Sequence, residues 1–161
     1  MSAIASKPLD TRNSLLRPIV LGGMFIFIAQ IIHQTIVVTL MQKTPFILIW
    51  QYIASGLLGD AAFAGGMATA WLGLFFHLII SFVIAAVFIL AADRIPLLRR
   101  TVIVGSLVYG FGVFIVMNMI VTPLSAAPPL PAPTLPWLIE AILEHVLIVG
   151  LALGMLVRRN A

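Results

Sequence analysis

A chain of 161 residues, 62% hydrophobic and 9% charged, with a mean hydropathy of +1.19, is too apolar for a water-soluble globular domain and reads as one integral membrane domain. Its formal charge of +4 does not mark a nucleic-acid binder, because the lysines and arginines stand at the ends of apolar runs instead of clustering on one folded face. The lack of cysteine excludes disulfides, thiolate metal ligands, iron–sulfur clusters and cysteine nucleophiles.

In chain order, residues 1–16 are polar and mildly basic, without a small-residue cleavage site ahead of the apolar run, so the N-terminus is expected to be retained. The first predicted span runs from Pro18 to Gln42, long enough to cross a hydrocarbon core of roughly 30 Å. Further spans are expected over Met67 to Ala92, Thr101 to Pro123 and Pro136 to Val157. The predicted class is an all-α, four-helix membrane bundle.

Residues 46–64 are also apolar, but charge asymmetry argues against a fifth crossing. With four spans and both termini inside, Lys7, Arg12, Arg17, Arg94, Arg99, Arg100, Arg158 and Arg159 are cytoplasmic and only Lys43 is outside, as the positive-inside rule asks. The segment is therefore expected to be an interfacial or re-entrant helix on the outer side, with Trp50 and Tyr52 near the headgroups and Gly56, Gly59, Gly65 and Gly66 permitting turns. The lipid bilayer is the expected main partner. Between spans three and four, "PLSAAPPLPAPTLP" carries six prolines and no charge, which predicts a stiff connector over the outer mouth.

Small residues supply helix contacts. Gly150 and Gly154 form a GxxxG pair and Ser106 and Gly110 a small-xxx-small pair, either of which lets backbones approach. They serve packing within the chain, a homo-oligomer or a membrane-complex partner.

The fourth span also carries Glu140, Glu144 and His145, which are costly at membrane depth and raise a functional site. Counted along the helices, Glu140 lies roughly 6 Å, Glu144 roughly 12 Å and His145 roughly 13 Å from the outer end, with His77 roughly 15 Å and His33 roughly 13 Å from theirs. Asn118 falls at a comparable depth, and Tyr109 adds an exchangeable proton. Glu140 and Glu144 share a helical face, while His145 is about 100° around from Glu144. Two carboxylates that close in a low-dielectric site require a proton, an imidazolium or a bound cation.

Three chemistries fit. His33, His77, His145, Glu140 and Glu144 suffice for four-coordinate Zn²⁺ or non-haem iron, although the di-iron Glu-x-x-His spacing is missing. His77 and His145 could hold a haem between diagonal helices. Glu140, Glu144, His145, His77 and Tyr109 could pass a proton or ion. Against these stands a purely structural reading, in which the polar residues hydrogen-bond across helices with Gln30, Gln34, Ser81, Asn118 and Thr122 and fix register. There is no phosphate-binding glycine loop, GxSxG or HExxH.

"HLIIS" at His77 to Ser81, "AADRIP" closing that span, "TPL" at Thr122 to Leu124, and "PW" at Pro136–Trp137 leading to His145 and to Arg158–Arg159 together resemble the YagU-like bacterial inner-membrane proteins over residues 67–159. The resemblance implies a small multi-pass inner-membrane protein and no particular reaction. The chain before His77 departs from the family pattern, and Glu140 and Glu144 are read from the residues alone.

Overall fold

The computed structural model describes residues 11–159, with side chains from Leu15 to Arg158. Lys7 and the rest of the expected retained terminus up to residue 10 lie outside the described residues, as do the side chains of Arg12 and Arg159.

Hydrocarbon offers no hydrogen bonds, so an apolar chain of this length must satisfy its backbone within helices. Four helices have the length and composition to cross a bilayer: Leu15–Met41, Gly66–Arg94, Val102–Leu124 and Leu135–Arg158. They are called the first to fourth spans. A shorter helix, Phe46–Leu58, separates the first two. No strand occurs among the described residues. The protein is an all-α, multi-pass membrane bundle. The largest difference from the expected spans is at the start, where helix already runs from Thr11 with Pro18 inside it, a placement that membrane helices tolerate.

Large apolar side chains point outward along every span, among them Phe25, Trp71, Val104, Met119 and Leu147, as expected of surfaces that face lipid tails. The buried core is small and is built by Ile26, Ala85, Phe88, Val113, Val149 and Leu153. With so little hydrophobic force between helices in a membrane, close backbone packing carries the association. A Cβ on Gly150 would strike the Ser106 carbonyl, one on Gly110 the His145 carbonyl, and one on Gly154 the Ser106 hydroxyl. The two small-residue motifs therefore pack against each other and join the third span to the fourth within the chain.

The short helix is seated in the same way. A Cβ on Gly73 would strike the Trp50 carbonyl, so the second span lets this helix approach to backbone contact. Gln51 Nε2 donates to the Gly66 carbonyl at 3.0 Å. The proline-rich connector rests on the helix's other side: Ala126 N–H donates to the Gly56 carbonyl at 3.0 Å and the Tyr52 hydroxyl to the Pro128 carbonyl at 3.4 Å. The helix ends at Gly59, whose φ of +57° suits glycine, and a separate turn follows at Ala61–Ala64. This end of the bundle is the capped end. Trp50, expected near the headgroups, is instead 2% exposed and packs on His77 with ring centroids 5.5 Å apart. Helix-to-helix contact at Gly73 carries its indole inward.

At the opposite, basic end, Arg94 closes the second span and the helix Pro96–Arg100 leads into the third. Asp93 lies 3.8 Å from both Arg94 and Arg99.

Gly150→Ala should cost about 1–3 kcal/mol through overpacking against Ser106. Gly112→Ala, where an added Cβ meets nothing within 4 Å, should be neutral or gain up to about 1 kcal/mol of helix propensity. Reversible unfolding in mixed micelles measures both, and equal effects would contradict the packing.

Candidate functional site

Gln30 and His33 are three residues apart on the first span, and Glu140 and Glu144 four apart on the fourth, so each pair shares a helix face. The faces meet. His33 Nε2 lies 2.8 Å from Glu140 Oε1, and His33 Nδ1 lies 3.7 Å from Glu144 Oε1. The imidazole thus stands between two carboxylates, one nitrogen toward each. Gln30 Nε2 donates to Glu144 Oε1 at 3.0 Å. One ligand atom from each of His33, Glu140 and Glu144 lies within 4.8 Å of the other two.

The three differ in access. The Glu144 side chain is 5% exposed, that of His33 20% and that of Glu140 31%. Although His33 and Glu140 approach closely, the contact is not aligned as a hydrogen bond, and both His33 Nδ1 and Glu140 Oε1 are buried atoms without a hydrogen-bond partner in the protein. Buried polar atoms left this way call for an explanation such as an ion, a water or a proton-transfer role.

Backbone geometry marks the same level. The first span changes from α to π winding over Thr35–Met41, the third over Met117–Val121 and the fourth over Glu144–Leu151. Near the start of each stretch a side chain takes the carbonyl four residues back: the Thr35 hydroxyl bonds Ile31 at 2.7 Å, Asn118 Nδ2 bonds Phe114 at 2.9 Å, and His145 Nδ1 lies 2.8 Å from the Ala141 oxygen. Such a bond competes with the backbone donor that normally holds this carbonyl, which favours slippage to the wider turn. Ser81 makes the same bond to His77 at 2.8 Å while the second span stays α-helical throughout, so carbonyl capture alone does not produce the change. Short π segments are frequent at functional sites, and here one begins at Glu144 itself.

The other candidates are placed elsewhere or differently. His145 Nδ1 lies 3.6 Å from Glu144 Oε2, but its ring packs edge-on to Phe114 and it is outside the three-residue cluster. His77 packs against both Phe27 and Trp50. Of the three histidines only His33 belongs to the compact ligand group, and His77 and His145 have separate aromatic neighbours. Asn118 is tied to its own helix, and the Tyr109 hydroxyl donates across to the Ile84 carbonyl of the second span at 2.8 Å. Of the expected interhelical network, Ser81 and Asn118 bond their own helices' carbonyls, whereas Gln30 reaches across to Glu144.

Sequence reading placed Gln30 only among register-fixing residues. Its spacing of three from His33 was the available signal that both face one partner. Comparison with protein-family models, with curated proteins and with solved structures gives no match.

In a double-mutant cycle, His33→Leu and Glu144→Gln should be non-additive by about 0.5–3 kcal/mol, whereas His33→Leu combined with Arg99→Gln at the basic end should add to within about 0.5 kcal/mol. Additivity in both pairs, measured by unfolding in micelles, would separate His33 from Glu144 energetically.

Proposed function

We propose that this multi-pass membrane protein binds a cation, a proton or a divalent metal ion, at His33, Glu140 and Glu144 between its first and fourth spans. The observation that carries the reading is the imidazole held between two carboxylates of a facing helix, with a buried, unpartnered atom on His33 and another on Glu140. Two carboxylates beside a neutral imidazole carry two negative charges, so neutrality takes two protons or one divalent cation, and an uncompensated charge at this depth is costly.

Donor chemistry supports a metal ion: two carboxylates and one imidazole suit Zn²⁺ or non-haem iron, and three protein ligands leave a further position open, as reactive sites do. The arrangement equally supports proton passage. Counted from the capped end, Glu140 is about 8 Å, His33 about 12 Å and Glu144 about 14 Å along its helix, so exchangeable groups follow one another inward, with His145 beyond.

Purified protein, stripped and then dialysed against Zn²⁺ or anaerobic Fe²⁺, should retain about one ion per chain, and Glu144→Gln should lower affinity at least about ten-fold, the scale on which losing one metal-site group acts. For proton passage, potential-driven acidification of proteoliposomes should be lost in the same variant. If wild-type protein neither retains metal nor moves protons, and Glu144→Gln alters stability alone, the residues only fix helix register.

For orientation we infer cytoplasmic termini in a bacterial inner membrane. Arg17, Arg94, Arg99, Arg100 and Arg158 stand at one end of the four spans and Lys43 at the other, which supports this direction through the positive-inside rule. Kinship with the YagU-like proteins, proposed on the motifs from His77 onward, is compatible with that setting and adds no chemistry. Because the chain lacks cysteine, single cysteines report cleanly. In intact cells an impermeant maleimide should label Lys43→Cys and leave Leu97→Cys, at a 69% exposed position, unlabelled until the membrane is opened. The reverse pattern would invert the topology.

A further inference from the structure

Beneath the short helix lies a second pair of unpartnered polar atoms, Trp50 Nε1 and His77 Nε2, both buried and without a hydrogen bond in the protein. Their rings are 5.5 Å apart, inclined at 56°. Phe27 also packs on His77 at 5.7 Å, and Phe46 meets the indole edge-on at 5.6 Å. Trp50 is 2% exposed, and an indole N–H can only donate. A donor buried this completely requires an acceptor.

The chemistry of that acceptor is narrowed by the surroundings. Every histidine ion pair among the described residues involves His33 or His145, so His77 has no ion-pair partner there. An imidazole Nε2 donates or accepts according to tautomer, and beside an indole donor it completes a two-point clasp for one oxygen atom. Phe27 and Phe46 supply flat apolar walls. His77 is about 17 Å along the second span from the capped end, and Phe46 at the rim is 43% exposed, so an apolar molecule arriving from the bilayer meets an apolar rim. The clasp is also held in place: Gly73 admits the Trp50 backbone, and Gln51 and the connector fix the short helix on its two sides.

We propose that Trp50 and His77 form a binding site for the carbonyl oxygen of a neutral, bilayer-soluble ring compound, the quinone class, with the ring seated among Phe27, Phe46 and the indole. The site is independent of the cation cluster. It lies between the short helix and the second span, with Phe27 as its contact on the first.

The chain has three tryptophans, so Trp71→Phe with Trp137→Phe leaves Trp50 as the sole indole reporter. In nanodiscs, titration with a decyl-substituted benzoquinone should quench this fluorescence to a saturating plateau, and decylbenzene, which has the tail and ring without the oxygens, should not compete. His77→Leu should weaken the apparent affinity about ten-fold, the scale of one lost hydrogen bond to a ligand. His77→Gln, which keeps a hydrogen-bonding side chain, should retain affinity to within about three-fold, and it serves as the deciding variant if His77→Leu fails to fold. Glu144→Gln should bind as the parent does, so a failure here is separable from a failure of the cation site. Quenching that rises without saturation, that is unchanged in His77→Leu, that falls as far in His77→Gln as in His77→Leu, or that decylbenzene reverses would overturn the proposal.

Discussion

The structure depends on one constraint: inside hydrocarbon, a polar group must find its partner within the protein. For the backbone the answer is four long helices. For the side chains it is more demanding, because Glu140 and Glu144 bring two carboxylates to one face of the fourth span and a neighbouring helix has to answer them. The first span does so with His33 between the carboxylates and Gln30 on the deeper one. A helix rotated away from this setting would leave Glu144 buried beside apolar side chains, a costly state for a carboxylate whatever its protonation.

The same constraint explains why packing and chemistry occupy different helix pairs. Where the third span meets the fourth, Ser106, Gly110, Gly150 and Gly154 remove side-chain bulk so that backbones touch, and no room remains for a ligand. Where the first meets the fourth at the capped end, polar side chains stand between the helices and hold them apart. The π-wound stretches belong to this level. A side chain that takes a carbonyl from the backbone ladder satisfies itself locally, and in the first, third and fourth spans, though not at Ser81 in the second, the ladder is wider beside it. In the fourth span that widening begins at Glu144, so the residue that most needs a partner stands where the helix departs from α winding.

How much of this could be read from residues alone follows from the range of the forces. The spans were legible because hydropathy over some twenty residues is a sum that single side chains barely perturb. The small-residue pairs were legible as contact surfaces, yet not as contacts with each other, because a GxxxG pattern encodes closeness without naming the neighbour. Depth counting brought His33 to the level of Glu140 and Glu144, since rise per residue is fixed. It could not separate His77 and His145 from them, because depth says nothing about azimuth, and azimuth depends on how the helices are turned toward one another. Trp50 was misplaced for a related reason. A tryptophan beside an apolar run belongs at the headgroups by default, and what draws it inward is a missing Cβ more than twenty residues away, at Gly73.

The first span is common to both polar regions. Phe27 touches His77 on one side; Gln30 and His33, each three residues further along, reach the fourth span on another. At 100° per residue, successive steps of three drift by about 60° around the helix, which carries the contact surface from the second span toward the fourth. Ligands on the two sides could therefore affect one another only by turning this helix, and only if its setting differs between bound states. Lower down, that freedom is small. Ile26 is fully buried, a Cβ on Gly22 would press on Leu153, and one on Gly23 would press on Phe82. A helix clamped by close contact on two sides resists rotation, so the two proposed sites are expected to fill independently and not to be coupled through the span they share.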